Sequence, residues 1–164
     1  MNWYFWVKYL HIIAAIMLIG GIFGRQLVRA NAKKADDVQI FVALSQAAGR
    51  IENLMVIPGS LAATILGVIL ALMSGYPLFG FLQGAAQNWL FVANILLVMM
   101  FLLIPTVLIP RGKKFAVILE AALAKGEMTP ELRAAMDDRM VKLVHLYEEV
   151  SLVMIVALMV LKPF

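Results

Sequence analysis

Two stripes of ionisable residues interrupt an otherwise apolar chain. In "FWVKYLHIIAA" (5–15), Lys8 and His11 stand three residues apart and share one helix face. Arg25, fourteen residues beyond His11, returns to nearly the same face after almost four turns. Lys142, His145 and Glu149 make a second stripe at spacings of three and four, with Glu148 beside it. Ionisable groups inside a membrane span face the helix bundle and mark a site, a proton relay or a paired charge.

Each has a bland reading beside the chemical one. Lys8 is close enough to a membrane surface to snorkel. Lys142 and His145 fall at the opposite interface, where charge needs no special explanation. Glu149 lies deeper, so it should serve a proton path or an ion pair with His145, Lys142 or Arg50; Glu52 is another partner for Arg50. His11 is the anomaly. A neutral imidazole facing a bundle is a common protein ligand for haem iron, and a buried histidine bonded to a neighbour such as Asn94 gives the same sequence. Rise-per-residue arithmetic puts His11 about 5 Å outward of the bilayer midplane and His145 about 10 Å inward. That separation argues against one iron held by both. A second ligand, if any, is then Lys8, water or a methionine such as Met17, Met99, Met100 or Met154.

The elements that must position these groups are membrane helices. Of 164 residues, 63% are hydrophobic and 15% charged, and the mean hydropathy is +0.93. Soluble domains are nearer half apolar. Four segments, 4–24, 54–74, 89–109 and 143–161, are long enough to cross a bilayer. The chain has no cysteine, which excludes disulfides, thiolate-held zinc, iron–sulfur clusters and covalently attached haem. Its net charge of +4 belongs to basic connections beside apolar runs, so headgroups rather than nucleic acid are the expected partner. The start, "MNWYFW", lacks the basic region and cleavage pattern of a signal peptide, and reads as the opening of a retained helix.

Arg25, Arg29, Lys33, Lys34 and Arg50 lie between the first two spans, and a longer basic run follows the third. The connection "GYPLFGFLQGAAQN" carries no charge. By the positive-inside rule both basic connections are cytoplasmic and both termini outside, with Trp3, Trp6, Tyr76 and Trp89 as an outer aromatic belt. The expected architecture is a single all-α domain, 1–164, a four-transmembrane-helix bundle with amphipathic helices in its cytoplasmic connections. "DDVQIFVALSQAAGRIEN" and "KKFAVILEAALAKG" supply those helices, the second ended by Gly126. Thr129 and Pro130 start a helix that, with no later breaker, should run unbroken to about Leu161, with Leu132, Met136, Met140, Leu143 and Tyr147 on one packing face. Gly59, Ala63, Gly67 and Ala71 recur every fourth position, and Gly20 and Gly24 do so in the first span. Such stripes let helices approach closely, here the first and second spans, or form a homodimer seam, or leave room for a flat cofactor. Pro58 and Pro105 predict kinks.

The two ends of the chain carry a resemblance. "WVKYLHIIAAIMLIGGIF" is similar to the first helix of HemJ-type protoporphyrinogen IX oxidases, which opens on a Lys-x-x-His pair. "MVIPG" (55–59) is similar to that family's proline after a basic helix start. "YEEVSLVMIVALMVLKPF" resembles its tail, which closes on Val-Lys-Pro-Phe. The third helix here lacks the family's histidine, and Glu148 and Ser151 stand where it has asparagine and proline. The chain thus looks closer to the uncharacterised small four-helix proteins grouped near HemJ and the CopD-type copper-resistance proteins. The resemblance implies haem b with His11 on the iron, Arg25 or Lys8 on its propionates, Glu149 in the family's glutamate position, and a bacterial cytoplasmic (inner) membrane setting. The expectation is therefore a haem-binding membrane protein of electron transfer or porphyrin oxidation. The rival is a non-catalytic accessory subunit, docked through small-residue faces into a homodimer or larger membrane complex.

Overall fold

Apolar side chains along the four spans leave the backbone no polar partner but itself, and helices satisfy that demand within one segment. In a computed structural model describing residues 2–164, all regular structure is helical. The elements are α1 (Trp3–Ala32), α2 (Val38–Ile51), α3 (Ile57–Met73), α4 (Trp89–Leu103), α5 (Ile109–Lys125), α6 (Pro130–Met136) and α7 (Arg139–Leu161). Four rods among them are long and apolar enough to cross a membrane, as the hydropathy pattern predicts.

Two rods are composites. α2 runs into α3 through the π-helical turn Glu52–Val56, and α4 into α5 through another, Ile104–Leu108. In each, a wide i+5 bond closes the turn: the Ile57 N–H donates to the Glu52 carbonyl, and Ile109 to Ile104. Prolines sit at both places, Pro58 just beyond the first turn and Pro105 and Pro110 around the second. A proline has no N–H for the carbonyl four residues back, and its ring crowds that carbonyl. The distortion expected at Pro58 and Pro105 takes the form of a widened turn.

The fourth rod differs from expectation. It is not one unbroken helix from Pro130: α6 stops at Met136, and Asp138 starts α7 by accepting from the Met140 and Val141 N–H groups. The physical reason is the capping carboxylate, which competes with continuation of the helix by offering the backbone donors another acceptor. The expected stripe is consequently split, with Leu132 fully buried under α6 while Met140 and Leu143 are exposed on α7. The start and stop signals on either side do hold. Thr129 Oγ1 accepts from the Leu132 N–H at 3.2 Å, and Gly126 ends α5 at φ +74°.

Packing runs in a row, α3 on α1, α1 on α7, α7 on α4. Between α1 and α3 the small-residue stripe works within the chain. A methyl at Gly59 would come within 2.9 Å of the Leu18 backbone nitrogen, and one at Gly21 within 2.9 Å of Met55 and Val56 side-chain atoms. Leu18, Ile22, Val56 and Leu152 form the apolar contact between the two helix pairs. A second core, Ala32, Val38, Phe41, Ala122 and Leu132, gathers the ends of α1 and α5 with α2 and α6. At the opposite end the tail folds back. The Phe164 carbonyl accepts from the Asn88 and Trp89 N–H groups at 3.0 and 3.1 Å, capping α4, and Lys162 Nζ donates to Tyr76 Oη at 2.8 Å.

Candidate functional site

Helical spacing aligns Arg25, Arg29 and Lys33 four apart along α1, and α7 runs antiparallel beside them with Glu148, His145 and Lys142. The result is a ladder of three polar rungs. In the first, Arg25 donates to Glu148 and, through its other terminal nitrogen, to Glu52 on the π turn. Arg25 is 2% exposed and Glu148 8%, while Glu52 is half-buried at the edge, so a buried pair and a partly exposed third member draw on three elements. In the middle rung, Arg29 lies 2.7 Å from His145 Nε2. The third is Asp137 between Lys142 at 2.7 Å and Lys33 at 3.7 Å. Lys142 first, then Lys33, hold the Asp137 carboxyl below its ordinary range.

The middle rung fixes a tautomer. A guanidinium can only donate, so His145 must accept at Nε2 and carry its hydrogen at Nδ1. That hydrogen then points to Glu148 Oε2, 3.2 Å away. The imidazole is therefore neutral here, and Arg29–His145–Glu148–Arg25–Glu52 forms one continuous hydrogen-bond chain. Arg25 Nε is buried with no hydrogen-bond partner among the described residues, so even this network leaves one donor unused.

From the sequence Glu149 is expected in a proton path or an ion pair; the ion pair is made by its neighbour Glu148. Glu149 is half-buried and joins no salt bridge among the described residues. One step along a helix turns a side chain by about 100°, which decides whether it faces α1. Arg25 is likewise not free for a propionate. Both its terminal nitrogens hold carboxylates, and fourteen residues put it about 21 Å along the axis from His11. Lys8 is exposed, its Nζ 6.0 Å from the Tyr4 ring centroid.

His11 sits between α1 and α3. Its Nδ1 is 3.0 Å from the Ala63 carbonyl oxygen, which only accepts, so Nδ1 carries the hydrogen and Nε2 the lone pair. Gly67, one turn on, leaves the ring its place: a methyl there would meet His11 Cε1 at 3.1 Å. Asn94 is not the partner; its side chain donates to the Leu78 carbonyl at 2.9 Å. Among the described residues no three His, Asp or Glu side chains converge as a metal cluster. Sequence reasoning did not pair Arg25 with Glu52 or Glu148, or Arg29 with His145. The signal was the matching four-residue spacing of the bases on α1 and the three-residue spacing of Lys142, His145 and Glu148.

Four long apolar helices, with polar side chains turned onto one another between them, define an integral membrane protein. More narrowly, residues 5–163 match the family of predicted integral membrane proteins DUF2269, and the chain belongs to it. No curated protein and no solved structure matches the chain.

Proposed function

We infer that this membrane protein binds a b-type haem through His11 and takes part in electron transfer or porphyrin oxidation. The observation that carries the reading is the His11–Ala63 hydrogen bond. A ligating histidine is oriented by a hydrogen bond from its other ring nitrogen to a carbonyl or carboxylate. Here Nδ1 is so engaged, and Nε2 has no hydrogen-bond partner among the described residues. Gly67 supplies the clearance that keeps the ring in this rotamer. The residues thus fit a single axial ligand. Arg25, both of whose terminal nitrogens hold carboxylates, does not fit as a propionate partner; Lys8, exposed one turn from His11, is the one that fits, and Glu149, half-buried and in no salt bridge among the described residues, is the side chain available to take a proton.

The haem would supply the redox chemistry, with its potential set by axial ligation and burial. What the chain contributes is a neutral imidazole of fixed tautomer in apolar surroundings. The setting we infer is a bacterial inner membrane, with both basic connections cytoplasmic and both ends of the chain outside.

A second reading, the accessory subunit, has its own observation. Only 11% of the apolar window in Trp89–Lys125 is buried within the chain, so this rod offers a long face to lipid or to another membrane protein. One experiment separates the two. The protein is purified in detergent from haem-replete cells, as wild type and His11→Ala, and absorption spectra are taken before and after dithionite. A Soret band present in wild type and absent from His11→Ala supports ligation. No band in wild type overturns the haem reading, and a stoichiometric protein partner without haem then favours the subunit.

A further inference from the structure

We propose that the Arg29–His145 rung is a proton-operated latch between the α1–α3 pair and the α4–α7 pair. It stands independently of any haem at His11. Arg29 can only donate, so the 2.7 Å contact exists while His145 Nε2 offers its lone pair. A proton taken from solvent onto Nε2 fills that lone pair and leaves two cations face to face. No covalent bond changes; the imidazole becomes imidazolium and the hydrogen bond is lost.

The surroundings decide which partner moves. His145 keeps Glu148, whose Oε2 accepts from Nδ1 at 3.2 Å. From α1 the groups facing the rung are Arg25, Arg29 and Lys33; from the π turn, Glu52; from α7 and the residues before it, Lys142, Glu148 and Asp137. Both carboxylates near the rung, Glu52 and Glu148, are already held by Arg25. Among the described residues Arg29 has no carboxylate hydrogen-bond partner, so no direct bond to an acid holds it once His145 is charged. Asp137 is occupied by Lys142 and Lys33 at the outer rung. Arg29 therefore swings away from α7, and the joint between the pairs opens at the end that carries the basic connections. The neighbouring apolar contact, Leu18, Ile22, Val56 and Leu152, is small enough to act as the hinge.

The chain's lack of cysteine makes a direct test possible. Spin labels are placed at Leu27→Cys on α1 and Leu146→Cys on α7, positions 66% and 55% exposed. Label-to-label distances are measured in lipid nanodiscs at about pH 7.5 and about pH 5.5. The expected result is a longer or broader distribution at the lower pH, absent from His145→Gln and from Arg29→Met. Glutamine offers one acceptor and one donor like the neutral ring and cannot take the proton. Arg29→Met removes the cation that is expelled, and serves if the glutamine variant does not fold. Identical distributions at both pH values in the labelled parent would overturn the latch. So would a response that survives His145→Gln, or one lost in His11→Gln and kept in His145→Gln.

Discussion

Arg25 concentrates the energetics of single residues. Its charge is buried between Glu52 and Glu148, and the attraction only offsets the cost of leaving water while both carboxylates remain. Arg25→Met leaves the buried Glu148 carboxylate with only the His145 N–H and should destabilise by about 3–5 kcal/mol, read from thermal or denaturant unfolding in detergent. Glu148→Gln keeps a hydrogen-bond acceptor and should cost less. A double variant lacking both charges should recover much of the loss. Asp138 gives a pH effect of known sign. The Val141 N–H foremost, then Met140 N–H and Arg111, hold its carboxyl below the ordinary value. Its stabilisation is therefore complete above the unfolded value of about 3.9 and is lost as pH falls through the lower folded one. The melting temperature of Asp138→Asn should accordingly vary less with acid over that window than wild type's.

Among elements, the close approach of α1 and α3 makes two glycines opposite in character. Gly59→Ala places a methyl 2.9 Å from backbone that cannot yield, and should cost about 1–3 kcal/mol. Gly49 on α2 has nothing within 4 Å of an added methyl, so Gly49→Ala should stabilise by up to about 1 kcal/mol through helix propensity alone. Parallel thermal melts check the contrast. Elements were also where the sequence was most legible. Spans, connecting helices, the Gly126 stop and the Thr129 cap are local signals, and each appears as read. The break at Asp137–Asp138 is local too, but two acids ahead of a basic apolar run also read as an exposed helix turn. Partner choice was not legible. Glu148 and Glu149 are neighbours in sequence, and only the rotation of α7 against α1, fixed by packing from distant segments, selects one. Glu52 was read toward Arg50 because the π turn that aims it at Arg25 has no short sequence signature.

For the whole molecule, the tail is a clasp. Lys162 donates to Tyr76 Oη and lies 4.5 Å from its ring centroid and 5.4 Å from that of Trp89, while the Phe164 carbonyl caps α4. The Lys-Pro-Phe ending thus has a structural task, joining the uncharged connection to the ends of α4 and α7. Lys162→Met should lower stability by roughly 0.5–1 kcal/mol in the same melts without altering any spectrum arising at His11.

The two π turns constrain how chain length can change. Each holds a residue more than the surrounding α-helical winding needs. Excising one residue from Glu52–Val56 would remove that surplus and let the rod close into ordinary α-helix with the upstream faces nearly kept, whereas one taken from the regular winding of α2 would turn the helix upstream of it by about 100°. The loss at the π turn is local, the widened turn that carries Glu52 to Arg25. Single-residue deletions within α2 should therefore be more damaging than deletions in the uncharged 74–88 connection, because they also rotate the α2 side of the second core outward. Length, at these two points, is as much part of the site as the side chains are.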